Sequence, residues 1–173
     1  MASAFSHIAI PIVLTVAVGR KKIPWKLLSL GLFLSVAPDF DSLAFRFDIP
    51  YESQWGHRGF THSIVFAIIV ASLCVCASKF LSAKPKVVFL FSFASLISHG
   101  ILDAFTNGGL GVAFLWPLTS ERYFFPWQVI EVSPISISRF FTHTGLVVLQ
   151  SEALYIWLPC VIVGGLFLWR RNN

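Results

Sequence analysis

The feature that most constrains this chain is a succession of apolar runs, at about 4–18, 25–38, 62–79, 87–105 and 146–168. Each approaches the ~20 residues that an α-helix needs to cross a bilayer. A helix satisfies its own backbone N–H and C=O groups, as hydrocarbon demands. The expected fold is therefore all-α: a polytopic membrane helix bundle of about five transmembrane helices, with an aromatic-rich interfacial segment at 106–145. Only 12% of residues are charged, about half the ~25% of a soluble domain. That leaves no room for a separate soluble unit, so residues 1–173 are expected to form a single integral-membrane domain. The first two runs are short and are expected to extend, tilt or be shielded by neighbours. Gly19 to Pro24 breaks the first pair of runs and Ser82 to Pro85 the second, so both pairs read as helical hairpins. Cys74, Cys76 and Cys160 lie inside apolar runs and read as small packing residues, not a disulfide framework.

Charge placement orients the bundle. Arg20, Lys21, Lys22 and Lys26 lie in the first hairpin turn, Lys79, Lys84 and Lys86 in the second, and Arg170 and Arg171 near residue 173. That is nine of the thirteen Lys and Arg residues, on one side if the spans number five. The other four are Arg46, Arg58, Arg122 and Arg139. All eight acids fall on or near the opposite side. Positive-inside bias then makes the basic side cytoplasmic, with the N-terminus outside and the C-terminus inside. The first run lacks a basic leader and is expected to be retained as a helix. The net charge of +5 belongs to this membrane asymmetry, and no nucleic-acid partner is expected. The lipid bilayer is the expected partner.

Ionisable residues within spans are costly and by default functional. Here they come in four groups: His7; Pro38-Asp39-Phe40-Asp41; His57-Arg58-Gly59-Phe60-Thr61-His62-Ser63; and Ser98-His99-Gly100-Ile101-Leu102-Asp103. Each sits at the non-cytoplasmic end of its helix, so four segments deliver imidazoles and carboxylates to one layer. His99 and Asp103 are four apart and share a helix face. Asp39 and Asp41 follow a proline; an unwound turn aims both inward, whereas a continuing α-helix splays them by ~200°. Gly59, between His57 and His62, permits a loop-to-helix bend.

The candidate metal ligands are His7, Asp39, Asp41, His57, His62, His99 and Asp103. Mixed nitrogen and oxygen ligation suits a divalent metal, zinc first, with manganese or iron compatible. Seven candidates exceed the needs of one tetrahedral zinc, so two ions, or one ion with an acid/base partner, use them better. Asp41, His62 and Arg58 are the candidate catalytic residues. Arg58 either contacts a substrate anion or neutralises the surplus of Asp. Other roles stay open for these groups: an interfacial histidine at 7, helix caps or Arg58 partners at Asp39 and Asp41. Thr61 and Ser63 read as hydrogen-bonding supports or caps.

Residues 106–145 include Trp116-Pro117, Tyr123-Phe124-Phe125-Pro126-Trp127 and Arg139-Phe140-Phe141. Such aromatic stretches prefer the membrane–water boundary. They are expected to form an interfacial lid, with Arg122 and Arg139 facing headgroups and His143 interfacial.

The ordered set His7, PDxD at 38–41, HRGFTHS at 57–63, HGILD at 99–103 and then Asn107-Gly108 resembles the YdjM-like family of bacterial inner-membrane, metal-dependent hydrolases. That family is also labelled LexA-binding and inner-membrane-associated. The resemblance covers essentially the whole chain. It implies the bacterial inner membrane and hydrolase activity, and its label implies LexA binding. A fainter similarity, in the order His, Asp, His and HxxxD, is to zinc-dependent phospholipase C, although that family's later metal ligands have no clear counterpart here.

The leading expectation is a metal-dependent hydrolase acting on a phosphoester or similar bond of an amphiphilic, lipid-linked substrate such as a phospholipid. A metal-free phosphatase with a histidine nucleophile is disfavoured, because neither Lys-x6-Arg-Pro nor Pro-Ser-Gly-His is present. A metal- or proton-handling membrane protein is the alternative, weakened by the lack of a visible inverted repeat. Regulatory LexA binding would have two turns and a short tail as its cytoplasmic surface, little against the ~800 Å² per partner of a specific interface.

Overall fold

The computed structural model describes residues 1–173, apart from the side chains of residues 137 and 172. Three helices are long and apolar enough to cross a membrane, Trp25–Phe47 (α2), Pro85–Ala104 (α4) and His143–Arg171 (α5). Two shorter apolar helices, Ala4–Val18 (α1) and Ile64–Val75 (α3), accompany them. Among the described residues there are no strands, and only two isolated bridges occur, Thr106 with Ile130 and Val112 with Tyr123.

Local chemistry sets the helix ends. Gly19 closes α1 at φ 92°, a left-handed conformation that costs glycine little. Pro24 and Pro85 start α2 and α4, where their missing N–H is harmless. Ser63 caps α3 by accepting the Phe66 N–H at 3.0 Å, so of its two expected roles the cap is the one present. The third apolar run was expected over 62–79; its α-helix is Ile64–Val75, and tight turns carry the chain from Cys76 to Ser82. In α5 a widened π-turn spans Ala153–Trp157. It stands just before Pro159, whose absent N–H removes one regular helical bond.

The second run departs most from expectation. The α-helical part of α2 stops at Leu34, and Ala37–Phe47 continues as a 3₁₀-helix with Pro38 in its first turn. The PDxD segment is therefore neither unwound nor α-helical. At about three residues per turn, side chains two apart point ~120° from each other. Asp39 and Asp41 consequently face two adjoining clusters.

The buried helix α4 is the centre of the bundle, with α1, α2 and α3 packed on it. Close approach is needed because apolar burial drives little association within lipid, where small residues and van der Waals packing take over. A Cβ on Gly31 of α2 would lie 2.3 Å from Phe91 Cε1 of α4. Ala67 and Ala71 serve the same purpose in α3, both essentially buried. The lysine-bearing turns converge where α4 begins, as Lys21, Lys22, Lys79 and Lys84 line one cavity there. His99 and Asp103 lie toward its other end, roughly 21 and 27 Å away along the helix axis.

Candidate metal centre

Four segments meet around the last turns of α4. His99 and Asp103 come from α4 itself, Asp39 from the 3₁₀ extension of α2 and His62 from the turn entering α3, and these four have ligand-like spacing; His7, from the first turns of α1, adjoins Asp39 and Asp103. All are nearly sealed from solvent: His7, His99 and Asp103 are 0% exposed, His62 3% and Asp39 6%. His99 Nε2 lies 3.2 Å from Asp39 Oδ1 and 3.9 Å from Asp103 Oδ2. His62 Nε2 is 3.7 Å from Asp103 Oδ2, and His7 Nε2 is 3.5 Å from Asp103 Oδ1 and 3.8 Å from Asp39 Oδ2.

Most of these separations are too long for good hydrogen bonds, and the 3.2 Å pair of His99 Nε2 and Asp39 Oδ1 forms none either. They suit a common cation: donors bonded at about 2.0–2.2 Å, as zinc prefers, stand roughly 3–4 Å from one another. Both nitrogens of His7, both oxygens of Asp39 and the Nε2 atoms of His62 and His99 are buried without a hydrogen-bond partner. Burying such groups unpaired is costly, and a metal ion would satisfy the inward-facing atoms together, taking Nε2 of His7 and leaving its Nδ1 without a partner. With neutral histidines, Asp39, Asp41 and Asp103 against the Arg58 guanidinium leave negative charge in the cluster, the sign a cation needs.

The supporting contacts fix which ring nitrogen faces inward. His99 Nδ1 is 2.7 Å from the Ser35 carbonyl; a carbonyl only accepts, so Nδ1 carries the proton and Nε2 presents its lone pair to the cluster. Thr61 donates its hydroxyl proton to Asp41 Oδ2 at 2.6 Å. Its 3.0 Å contact with His62 Nδ1 is therefore one the imidazole donates, which again leaves Nε2 facing inward. Such partners raise ligand basicity and hold ring orientation.

Asp41 occupies the adjoining cluster. Its Oδ1 accepts from His57 Nδ1 at 2.6 Å, and its Oδ2 from the Arg58 backbone N–H at 3.1 Å. Asp41, His57 and His62 form a second group with ligand-like spacing. Within it His62 would use Nδ1, 3.2 Å from Asp41 Oδ2, the nitrogen that already donates. Asp41 and His57 thus stand as an orienting pair beside the first cluster.

Arg58 is fully buried. Its Nε donates to Asp103 Oδ2 at 3.0 Å, Nη1 to the Gly108 carbonyl at 2.8 Å and Nη2 to Thr106 Oγ1 at 2.9 Å. Of its two expected roles, this geometry places it with Asp103, not at an open anion site. The bend expected at Gly59 falls one residue earlier, at Arg58, with φ 62°. Gly59 is needed for space instead: a Cβ there would lie 2.2 Å from the Gln54 carbonyl oxygen.

Sequence reasoning passed over Glu152. It is 0% exposed in α5 and accepts from the Ser3 N–H, from Ser3 Oγ at 2.6 Å and from Ser6 Oγ at 2.8 Å. It anchors the segment that delivers His7 and donates the Ala2 N–H to Asp103 Oδ1 at 2.8 Å. As the acid within the fifth run, it carried the same signal as the other intramembrane charges. Arg122, expected at headgroups, donates instead to the carbonyls of His57, Tyr51 and Ser53 at 2.8–2.9 Å. It thereby ties the 106–145 segment to the loop before His57. Burial raises the pKa of nearby Tyr51, keeping its phenol neutral. His143 is exposed at the start of α5 and apart from the cluster.

No solved structure matches this chain. Inner membrane protein YbcI of Escherichia coli (strain K12) is 44% identical over 173 residues, covering 99% of this chain and 100% of that relative. The sequence model of the YdjM inner membrane protein family matches residues 1–172, so a chain with this apolar bundle and buried His/Asp cluster belongs to the YdjM inner membrane protein family.

Proposed function

We propose that this protein is a metal-dependent hydrolase acting on a phosphoester or similar bond of a lipid-linked substrate at the outer face of the inner membrane. The observation that carries the metal is the set of six His and Asp atoms buried together without partners. The hydrolase assignment rests on the resemblance and on the pairing of His57 with Asp41.

His7, His62, His99, Asp39 and Asp103 would hold the ion, zinc in the first instance. A divalent ion in such a set supplies Lewis-acid chemistry, making water a usable nucleophile near neutral pH and offsetting charge on the attacked group. His57, held by Asp41 through Nδ1, keeps Nε2 for proton transfer to or from the reacting groups. Asp41 orients both His57 and His62, and Arg58 holds Asp103 in register. Five spans with the lysine-rich end in the cytoplasm would put the cluster outside, beneath the aromatic 106–145 segment, where an amphiphile arrives sideways from the bilayer.

A second reading, a metal-holding protein without turnover, is favoured by the near-complete burial of the donors, since closed sites are characteristic of structural ions. The test is to purify the protein under metal-replete conditions, count metals, and assay phospholipids and isoprenoid phosphates. Hydrolysis that His57→Gln lowers by about 10²–10⁴-fold, with metal content retained, supports the enzyme. Bound metal without hydrolysis of any of these substrates supports the second reading. A stable protein that holds no metal overturns both.

A further inference from the structure

The end of the bundle opposite the His/Asp layer carries a cavity of ≈ 610 Å³ that the proposed hydrolysis does not use. Lys21 and Lys22 line it from the first hairpin turn, and Lys79, Ser82 and Lys84 from the second. Among the described residues no lysine takes part in an ion pair, since all the pairs involve histidine or Arg58. No Asp or Glu occurs anywhere in 19–38 or 76–98. The α2 and α4 N-termini lie at this end without side-chain caps, adding the positive end of two helix dipoles.

Val87 on the wall of this cavity also lines a second, apolar groove of ≈ 190 Å³. The groove runs between Leu14 and Val18 of α1 and Val87, Leu90, Phe91 and Ala94 of α4. Those α4 positions follow i, i+3, i+4, i+7 spacing along one helix face. From Val87 to Ala94 the groove extends about 10 Å along the helix, most of one leaflet's share of a ~30 Å hydrocarbon core.

A bare orientation signal requires only lysines in turns. It does not require them to share a cavity, or that cavity to share the Val87 wall with an apolar groove about 10 Å long. We propose that this end is a binding site for one anionic phospholipid, its phosphate among Lys21, Lys22, Lys79 and Lys84 and one acyl chain along the α1/α4 groove. Basic pockets between membrane helices capture anionic headgroups by this charge complementarity. Free phosphate shares the headgroup chemistry but has nothing to place in the groove.

The test uses the full chain in a zwitterionic detergent, with native mass spectrometry reading retention of three probes. These are phosphatidylglycerol, phosphatidylcholine with the same acyl chains, and inorganic phosphate. Wild type is expected to retain one phosphatidylglycerol in clear preference to phosphatidylcholine. The quadruple K21Q/K22Q/K79Q/K84Q should weaken that retention about a thousandfold, and each pair, K21Q/K22Q or K79Q/K84Q, about thirtyfold. The double R20Q/K86Q, exposed at the same end but outside the lining, should retain the lipid. Leu90→Trp should obstruct the groove and lower lipid retention without altering phosphate binding. Equal retention of the two lipids overturns the site, as does equal loss in K21Q/K22Q and R20Q/K86Q. Phosphate held as firmly as phosphatidylglycerol, with Leu90→Trp without effect on either, overturns the lipid assignment. Metal content should stay at the wild-type level in every variant, which separates this outcome from that of the proposed hydrolase.

Discussion

A histidine offers a metal one ring nitrogen, and the partner of the other nitrogen decides which one. At His99 that partner is the Ser35 carbonyl, and at His62 it is the Thr61–Asp41 pair. Replacing Thr61 by Val removes the hydroxyl that sits between Asp41 and His62. It should weaken metal affinity by about 10–100-fold, the usual cost of losing an outer partner. Thr61→Ser, which keeps the hydroxyl, should restore affinity; metal titration by competition with a chelator checks both. Asp103→Asn should be more severe, because Asp103 touches His7, His62 and Arg58 together. Its purified protein should be nearly metal-free by elemental analysis, and near-stoichiometric metal in it would remove Asp103 from the ligand set.

The donors are set by how elements approach one another. Gly31 lets α2 close on Phe91 of α4, and Ser35, four residues on, then meets His99. Gly31→Val should separate the two helices at an overpacking cost of about 1–3 kcal/mol. It should lower thermal stability and metal occupancy together, although residue 31 is no ligand. Glu152 does comparable work between α5 and residues 3–6. Glu152→Ala leaves the Ser3 and Ser6 donors buried, at a cost of about 1–3 kcal/mol for each unpaired group. Thermal unfolding in detergent should show the loss, and Glu152→Gln, which keeps an acceptor, should recover part of it.

For the molecule as a whole, the ion would be a structural tie between α1, the end of α2, the entry to α3 and α4. A ligand present at a thousand times its dissociation constant stabilises by about 4 kcal/mol. In a chain of this size, stripping it should lower the unfolding temperature by roughly 10 °C. Chelation followed by re-addition of zinc, manganese or iron, each with a melting curve, would identify the metal by the extent of recovery. A melting temperature insensitive to chelation, in protein known to be metal-loaded, would argue against that tie. Labelling of single cysteines placed at Lys79 and at Trp127 should show the first accessible only from the cytoplasm and the second only from outside.

Residue types and spacing were enough to determine several things. Apolar runs near bilayer length dictated an all-helical membrane protein, because hydrocarbon leaves the backbone few other ways to satisfy its polar groups. Intramembrane His and Asp marked the cluster because such groups are too costly to bury idly, and the ordered motifs pointed to the family. Tertiary packing decided the division of labour within the cluster. The 3₁₀ turn after Pro38 sends Asp39 and Asp41 to different neighbours, and Arg58 is consumed by Asp103, Thr106 and Gly108. Glu152 meets residues 3–6, about 150 positions away in the chain. Local spacing carries no information about contacts of that kind, because periodicity reports which face of a helix is polar but not which partner that face will meet.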